Sequence, residues 1–531
     1  MNSKKIYFKK TTREKILLGI NKVSNAVKIT LGPKGKNVII EKDFSNPLVT
    51  KDGITVAKSI KLKNRLENLG AQMLKEVASK TNDNAGDGTT TATVIAQTMI
   101  NEGIKYISLG VSSIKIIKEL NKVLKYSLLE LTKMRKKISS DKEIIQVGTI
   151  SSNNDTLIGK QIAKIIKFVG KEGVVTVEEG ESTKDKIEVV KGMQFDRGFM
   201  SPYFINDNEK QRCVLENPLI LLYEKKIVNI REILKILEIV SKKNKSILII
   251  SDNLDNEVLA TLVINNIRGI IKVSAVKSPG FGEKKIDLLK DIAIITGGKI
   301  VKLEEGLTLK KIKIKDLGSC RKVEIYKEKT IIIGGGGDKK KIKERILQIK
   351  NEIKNSDSEY EISKLKERIA KLSGGIGVIK VGALTEIEMK EKKYRFEDAL
   401  NATRAALESG IVPGGGIALF KVSEKIKFDN SNIGAKIMFK AIKSPMKQIL
   451  KNAGIEPKIV VSRMREKKIY GFNLLNMKYC DMIEEGIIDP FKVVKSALKN
   501  AVSITKLVLN SECSICYRKK KKEMNISNPN I

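Results

Sequence analysis

The stretch Asn84-Ala-Gly-Asp-Gly-Thr-Thr-Thr91 separates two segments with helical periodicity, residues 65–80 and about Thr89 to Ile107. Glycine permits positive φ and lets the backbone approach a ligand closely. Threonines at a helix start direct hydroxyl and free N–H groups toward an anion, and the helix dipole adds to this effect. Asp87 lies between the glycines, where it suits Mg²⁺, which takes one or two carboxylates together with phosphate oxygens. The stretch therefore indicates either an ordinary N-cap turn or a nucleotide site.

Four other turns of small and polar residues lie far from this stretch along the chain. They are Thr30-Leu-Gly-Pro-Lys-Gly35, Lys51-Asp52-Gly53, Gly414-Gly415-Gly416 and Asp489-Pro490. Each turn by itself does not indicate a function, because glycine turns and N-caps are common. No GxxxxGK[ST] motif is present, so the chain is not a P-loop protein. The combination of these turns is what needs an explanation.

The remaining pattern predicts a mainly helical protein with one α/β portion. The predicted elements are a helix over 13–29, β-type stretches Asn37–Glu41 and Leu48–Ala57 (the second interrupted at Asp52-Gly53), a strand–helix–strand unit formed by Ser246–Ser251, Glu257–Ile267 and Ile270–Val276, and a helical hairpin from Asp338 to Leu372. After the hairpin, helices dominate to about residue 509. The strand–helix–strand unit is typical of α/β folds.

Composition limits the function classes. At 531 residues the chain is expected to form two or three domains. A net charge of +40 normally points to nucleic acid or an anionic surface. However, the lysines are spread along the chain rather than clustered. Aromatic residues make up only 5% and tryptophan is absent, so few side chains are available for stacking against the bases of single-stranded nucleic acid. Nucleic-acid binding therefore remains the second hypothesis.

Apolar segments and cysteine content indicate the cellular compartment and the redox chemistry of the protein. No apolar run approaches the ~18 residues of a membrane span, and the N-terminus does not read as a signal peptide. We therefore expect a cytoplasmic, bacterial-type protein without a membrane partner. The odd number of cysteines, five, and their irregular spacing argue against a disulfide framework. Cys513 and Cys516 form a CxxC pair whose reading stays open between metal or redox chemistry and ordinary small-residue usage, with the latter favoured.

Seven segments together resemble the group I chaperonin family, the bacterial GroEL type. They are TLGPKGKNV (30–38), KDGITVAKSI (51–60), AGDGTTTATV (85–94), GMQFDRGFMSPYF (192–204), PGFGEKK (279–285), EIEMKEKKYRFEDALNATRAA (386–406) and VPGGGIAL (412–419). The resemblance extends from about residue 7 to Glu512 with few gaps. Their number and order make a chance match negligible.

The resemblance implies a multidomain α and α/β fold with three domains on a discontinuous chain. The implied domains are a helical equatorial ATPase domain (1–136 and 410–516), a small intermediate domain (137–190 and 376–409) and an α/β apical domain (191–375), followed by a basic tail (517–531). Gly192 and Gly375 resemble the apical hinges, whereas Lys137 stands where the family usually has proline. The family's Gly-Met-rich tail is missing.

The resemblance also implies an ATP site with Mg²⁺ and K⁺. On the phosphate and metal side the matching residues are Thr30, Leu31, Gly32, Pro33, Lys51, Asp87, Gly88, Thr89, Thr90 and Thr91; on the nucleoside side they are Gly415, Asn473, Leu474, Leu475 and Asp489. Asp87 matches the Mg²⁺ ligand, and the backbone near Thr30 and Lys51 matches the K⁺ site. Asp398 matches the acid that orients or activates the attacking water, with Asp52 beside it. Without the family, Asp398 reads as an ordinary carboxylate on a helix face.

The segment between about residues 199 and 264 contains more apolar residues than a single core face requires, and the resemblance implies a binding surface there. In the helix 257–267 they cover an arc wider than the ~100° stripe that one core face needs, so the helix is either buried on two sides or exposed for binding. The family matches a groove for non-native polypeptide and the co-chaperonin loop to Phe199, Ser201, Tyr203, Phe204, Leu234, Leu237, Leu259, Val263 and Ile264.

The function implied is that of an ATP-dependent folding chaperone, an ATPase that captures non-native proteins and encloses them in a ring chamber. Its implied partners are non-native polypeptides and a co-chaperonin of the GroES type, and its implied assembly is a seven-membered ring, one of two stacked rings. A scaffold without turnover is disfavoured because Asp52, Asp87 and Asp398 are all present.

Overall fold

The computed structural model describes residues 4–41, 47–170, 173–180, 182–280, 282–302, 308–355, 358–373, 375–426, 431–467, 469 and 471–517. The basic tail predicted at 517–531 lies outside these residues apart from Tyr517. The described residues of the chain divide into two compact units. Unit 1 comprises Met1–Ala163, Glu181–Thr183 and Gly382–Ile531, and unit 2 comprises Lys164–Gly180 and Lys184–Val381.

Helices make up most of the regular structure. They are α1 (Lys9–Lys28), α2 (Gly53–Ser59), α3 (Arg65–Ala85), α4 (Thr89–Ser108), α5 (Ser113–Lys133), α6 (Asp141–Ser151), α7 (Thr156–Val169), α8 (Leu234–Lys242), α9 (Asn256–Ile267), α10 (Glu283–Thr296), α11 (Lys339–Asn355), α12 (Glu359–Ser373), α13 (Glu386–Ser409), α14 (Ile417–Lys425), α15 (Ile433–Ile442), α16 (Ser444–Asn452), α17 (Pro457–Lys467) and α18 (Phe491–Leu509). No helix among the described residues is both long enough and apolar enough to cross a membrane.

The strands are shorter and belong to several sheets. They are β1 (Lys4–Phe8), β2 (Val38–Ile40), β3 (Leu48–Thr50), β4 (Val174–Glu179), β5 (Lys186–Val190), β6 (Gly192–Phe195), β7 (Cys213–Glu216), β8 (Leu219–Tyr223), β9 (Ser246–Ser251), β10 (Lys272–Lys277), β11 (Ile300–Val301), β12 (Gly318–Ile325), β13 (Thr330–Gly335), β14 (Ile376–Val381), β15 (Ile411–Pro413), β16 (Phe472–Asn473), β17 (Lys478–Tyr479), β18 (Ile488–Pro490) and β19 (Cys513–Tyr517).

Unit 1 is a helical body with an aliphatic core. Helices α1, α3, α4, α5, α15 and α18 pack around it, and its members include Ile20, Leu74, Ile95 and Leu498, all fully buried. Four two-stranded pairs lie in this unit: β1–β19, β2–β3, β15–β18 and β16–β17. In β19 burial alternates, so that Cys513 is exposed while Cys516 is buried. The two cysteines therefore point to opposite faces of the strand and do not form a ligand pair.

Helices α1 and α3 touch through two glycines. A Cβ on Gly19 would lie 1.8 Å from the carbonyl oxygen of Glu67, and a Cβ on Gly70 would lie 2.1 Å from that of Ile16. Real Cβ atoms are not found so close to backbone, so only glycine fits at either position. The two helix backbones are thus in direct contact.

Unit 2 is an α/β body. Its larger sheet has the order β10-β9-β8-β12-β13-β6, with β11 beside β8 and β7 beside β12. Strands β8, β9 and β10 are parallel to one another, whereas β12, β13 and β6 continue the sheet in antiparallel fashion. A separate sheet has the order β4-β14-β5. The core of the unit contains the fully buried strand residues Ile220, Leu248 and Ala275.

The secondary-structure predictions are mostly confirmed. The strand–helix–strand unit appears as β9, α9 and β10, with Ile247 paired to Val273 in parallel register. The predicted helical hairpin appears as α11 and α12. The prediction of a strand over Leu48–Ala57 was wrong in its second half, because α2 begins at Gly53. The Asp52 carboxylate accepts hydrogen bonds from the N–H groups of Ile54 and Thr55, which caps that helix and ends the strand.

The three-domain division stays a prediction. The first unit takes in the predicted equatorial segments together with residues 137–163, 181–183 and 382–409 of the predicted intermediate segments. The second takes in the predicted apical segment with the remaining intermediate residues. Each predicted intermediate segment is thus shared between the two units.

Candidate functional site

The turn between α3 and α4 depends on two glycines. Gly86 and Gly88 have φ of 70° and 81°, in the left-handed region that favours glycine. A Cβ on Gly88 would also lie 2.5 Å from Val493 Cγ1. Asp87 between them accepts a hydrogen bond from the Gly88 N–H. Helix α4 starts at Thr89, so the N–H groups of its first turn lack helical acceptors, and Thr89, Thr90 and Thr91 line one cavity together with Asp87.

The Thr30–Gly35 turn follows α1 and meets the start of α4. The hydroxyl of Thr30 donates to the Val27 carbonyl at 2.9 Å, and its oxygen lies 3.4 Å from the hydroxyl oxygen of Thr90. The side-chain amide of Asn452 donates to the carbonyls of Lys28 and Leu31 at 2.9 and 2.8 Å. The end of α1 is thus bonded to α16 through Asn452 and contacts the first turn of α4 through Thr30.

A third turn packs against the same helix start. A Cβ on Gly53 would lie 2.2 Å from Thr90 Oγ1 and 2.8 Å from Thr89 Oγ1. Gly53 therefore packs closely against the two threonines, and a side chain at this position would force neighbouring groups to shift. Asp52, which precedes it, is held by the capping bonds of α2 and by its own N–H donating to Thr50 Oγ1 at 3.0 Å.

Three carboxylates form an acid cluster, defined here as Asp52, Asp87 and Asp398. Burial raises the pKa of Asp398 well above its usual value, and the charges of Asp52 and Asp87 raise it further. Burial also raises the pKa of Asp87 to about 6, with a further contribution from Asp52 that is opposed by the Gly88 N–H. The three charges therefore repel one another in a space with little water. A bound cation would relieve this repulsion.

Asp489 lies near the cluster on a different element. It sits in β18, opposite Val412 of β15. The N–H groups of Gly415 and Gly416, which precede α14, donate to its carboxylate, yet burial first and the charge of Asp87 second raise its pKa to about 7. The aspartate is therefore another acid whose charge is poorly compensated in the absence of a ligand.

The other end of the site is formed by β16 and the loop before β18. Asn473 Oδ1 accepts the Leu475 N–H at 2.9 Å, and its Nδ2 donates to Glu485 Oε2 at 3.2 Å. Leu474 is buried against Met446, Met464 and other apolar side chains, whereas Leu475 is 59% exposed. The two leucines therefore differ in role, and only Leu474 contributes to the wall of packed apolar side chains.

One cavity of about 580 Å³ in unit 1 brings these turns together. The residues predicted for the ATP site that line it are Thr30, Leu31, Gly32, Pro33, Lys51, Asp52, Asp87, Gly88, Thr89, Thr90, Thr91, Asp398, Gly415, Asn473, Leu474, Leu475 and Asp489. That is every residue predicted for the nucleotide, the metals and the catalytic acids. Their individual roles stay predictions.

Sequence reasoning missed several lining residues. Asn153 and Asn154 have φ of 62° and 66°, and the neighbouring Ser151 hydrogen-bonds Asp87. Asparagine pairs often occupy such turns, a signal that was available. Tyr394 lies one helical turn before Asp398, so both face the cavity. Glu485 had no detectable signal.

The protein alone does not supply a complete metal site. Among the described residues, no group of three or more histidine, cysteine, aspartate or glutamate side chains is arranged to hold a metal ion. An ion at the acid cluster would need oxygens from a ligand as well. This fits Mg²⁺, which is commonly held by one or two carboxylates and the phosphates of a bound nucleotide.

In unit 2, the predicted groove residues divide into three groups. Tyr203, Leu234 and Ile264 are exposed at 69%, 45% and 48%. The half-buried residues, which pack on the core of the unit, are Phe199, Leu237, Leu259 and Val263. The prediction of an accessible side chain is wrong for Ser201 and Phe204, which are buried.

Local bonding explains the two buried residues. The Ser201 hydroxyl accepts the Tyr203 N–H and starts a short 3₁₀ helix, Pro202–Phe204, and this turn directs Phe204 into the core. Conversely, Val228, Ile267 and Ile270 were not predicted, and they are exposed at 60%, 65% and 55%. Within α9, Val258 and Leu262 face the core while Ile264 and Ile267 face outward, so the helix is not buried on two sides.

The family model described as the TCP-1/cpn60 chaperonin family matches residues 23–519. The chain belongs to the chaperonin family. A solved structure of the chaperonin gp146 from the bacteriophage EL (Pseudomonas aeruginosa), obtained in the presence of ATP-BeFx, has a similar fold. The similarity has a TM-score of 0.67 at 22% identity and covers 97% of this chain and 99% of that chain. The multidomain chaperonin fold predicted from the sequence is thereby confirmed, and with it the general role of a ring-forming folding chaperone.

The raised pKa of Asp489 in this chaperonin predicts a pH-dependent stability. A carboxyl whose folded pKa is raised from 3.8 to about 7 favours the folded state fully below the unfolded pKa, and this contribution is lost as pH rises through about 7. Asp489→Asn cannot ionise, so we expect the nucleotide-free variant to melt about 2 °C or more above the wild type at pH 8. Near pH 4 the two should melt together. Differential scanning calorimetry at both pH values measures this, and an equal shift at both would contradict it.

Proposed function

We propose that this chaperonin is a group I subunit that couples ATP hydrolysis in the unit 1 cavity to the folding of captured polypeptides. The observation that carries the proposal is the acid cluster facing the Thr89–Thr91 helix start. Turns from five parts of the chain meet there, and they combine phosphate-binding backbone with carboxylates that repel one another without a ligand. Such a site suits an anion that arrives with its own cation.

The residues present fit a nucleotide with Mg²⁺ and K⁺. The free N–H groups and hydroxyls of Thr89, Thr90 and Thr91 would bind phosphate oxygens, as helix N-termini do. Asp87 would hold Mg²⁺, and backbone oxygens near Thr30 and Lys51 would hold K⁺. A magnesium ion held there would supply positive charge that offsets the negative charge of the phosphates during transfer. The nucleoside would lie toward Gly415, Asn473, Leu474 and Asp489.

Asp398 would act on the attacking water. Because its pKa is raised, its carboxylate is a stronger base than that of an ordinary aspartate. Neutralising Asp87 removes one of the charges that raise this pKa, so the ligand itself would favour the ionised, reactive form of Asp398. Asp52, fixed by its capping bonds, would position that water from the other side.

Polypeptide capture would occur on unit 2. The exposed apolar side chains on and around α8 and α9 suit unfolded chains, whose shared feature is uncovered hydrophobic surface. We further propose that a co-chaperonin of the GroES type covers this surface, that subunits form two stacked seven-membered rings, and that the protein acts in the cytoplasm. The predicted equatorial, intermediate and apical segments would be its working domains.

A refolding assay tests the proposal. The purified chain should raise the yield of a chemically denatured enzyme when MgATP and a co-chaperonin are present, and ADP should not replace ATP. The double variant Leu234→Glu/Ile264→Glu should reduce capture of the unfolded enzyme at least about fivefold with ATP turnover intact, because it places charge on the exposed apolar surface. The matched control Leu384→Glu changes an 83% exposed leucine of unit 1 and should capture normally. Absence of ATP turnover in the wild type would overturn the proposal.

A further inference from the structure

Glu485 is a carboxylate at the nucleoside end of the unit 1 cavity, and it belongs to none of the sequence motifs described above. It lies in the loop between β17 and β18 and lines the cavity with Phe472, Met482 and Ile487. One of its oxygens, Oε2, accepts from Asn473 Nδ2 at 3.2 Å. Glu485 is exposed, and because these three neighbours are apolar, it supplies polar groups at that end together with Asn473.

Asn473 holds Glu485 in place and is itself held. Its Oδ1 accepts the Leu475 N–H at 2.9 Å while its Nδ2 donates to Glu485. Both ends of the carboxamide are thus engaged within the protein. Asn473 therefore positions the carboxylate, and the Oε1 atom of Glu485 is the acceptor that remains for a ligand.

The charge of Glu485 is separate from the acid cluster. It contributes to the raised pKa of the Cys480 thiol, whereas the charges that act on Asp87 and Asp489 come from Asp52 and Asp87. No lysine or arginine within the described part of the chain forms an ion pair with Glu485. A carboxylate only accepts hydrogen bonds, so a ligand group that meets it should be a donor.

We propose that Glu485 selects adenine by accepting a hydrogen bond from the amino group on carbon 6 of the base. The inference rests on the proposed function, that the cavity binds ATP. A purine with an oxo group at that position would instead present an acceptor to the carboxylate, and two acceptors facing each other are unfavourable. The residue is thus a specificity determinant at the opposite end of the site from the reacting phosphate.

Calorimetric titration with ADP and with inosine diphosphate, both with Mg²⁺, tests the assignment without requiring turnover. The wild type should bind ADP about tenfold more tightly, the value of one modest hydrogen bond to a charged group. Glu485→Ala should bring the two affinities within about twofold. Glu485→Gln carries an amide that can donate to the oxo group, so it should raise affinity for inosine diphosphate. Glu484→Gln should keep the wild-type ratio, because Glu484 is exposed like Glu485 but does not line the cavity.

Several outcomes would overturn the assignment. Equal wild-type affinities for the two nucleotides would reject the role of Glu485 and leave the proposed ATP site standing. The role of Glu485 would also be rejected if Glu485→Ala weakened binding of both nucleotides and left the ratio of the two affinities unchanged. The carboxylate would then only hold Asn473 in place. Tighter wild-type binding of GDP than ADP would assign the carboxylate to the N–H edge of guanine instead. If no nucleotide binds at all, the proposed function fails as well.

Discussion

Replacing Asp398 with alanine is expected to lower ATP turnover by about 10²–10⁴-fold, the range that a positioned general base contributes. Nucleotide binding should persist, because Asp87 and Thr89–Thr91, the residues proposed to meet the metal and the phosphates, lie on other elements. Removing this acid also removes one of three mutually repelling charges, so ATP affinity should stay equal or rise. Steady-state hydrolysis and equilibrium binding, measured on the same preparation, separate the two effects.

The matched control for this variant is Glu408→Gln. Glu408 lies on the same helix, α13, but its side chain is 65% exposed and pairs with Lys492. Its turnover should remain within about twofold of the wild type, as is usual for an exposed ion pair. Undiminished hydrolysis in Asp398→Ala would reject the assignment of Asp398 as the residue that activates water.

Gly53→Ala is expected to weaken nucleotide binding by about 100-fold without unfolding the protein. The added methyl group would lie 2.2 Å from Thr90 Oγ1 and 2.8 Å from Thr89 Oγ1, so the two threonine hydroxyls or the helix starts that carry them must shift. Overpacking of this kind typically costs about 1–3 kcal/mol, and here the displaced groups are those that would meet the phosphates. Fluorescence titration with a labelled ADP, together with a melting curve, measures binding and folding.

Gly454→Ala provides the comparison for that variant. It adds the same methyl group in unit 1 at a glycine with nothing within 4 Å, although its φ of 75° makes alanine somewhat strained. Binding should therefore change little, within about threefold. If Gly53→Ala binds ADP as tightly as the wild type, the contact between these turns does not shape the site.

The residues of the candidate site could be predicted because their chemistry is local. Glycine turns and helix-starting threonines, such as those around Asp87, have recognisable patterns, and the family resemblance added their roles. Their convergence could not be derived from local pattern. Thr30 and Thr90 are brought within 3.4 Å of each other only when α1 packs against α4.

The errors have equally specific causes. Ile54 and Val56 alternate with polar residues as a strand would, but the capping bonds of Asp52 favoured a helix. Tyr203 and Phe204 are adjacent aromatic residues, and sequence gives no sign of which one a short 3₁₀ helix turns inward. Glu485 and Glu484 are likewise indistinguishable in sequence, since only tertiary packing places one of them in the cavity wall.

The glycine contact between α1 and α3 has a mechanical consequence. Helix α1 ends at the Thr30 turn and α3 ends at the Asp87 turn. Gly19 and Gly70 interlock the two backbones, so neither helix can slide along the other without a collision of main-chain atoms. The Thr30 turn and the Asp87 turn are therefore both attached to one closely packed pair of helices. A displacement that a bound phosphate imposes on either turn is transmitted to the helix pair as a whole rather than absorbed locally.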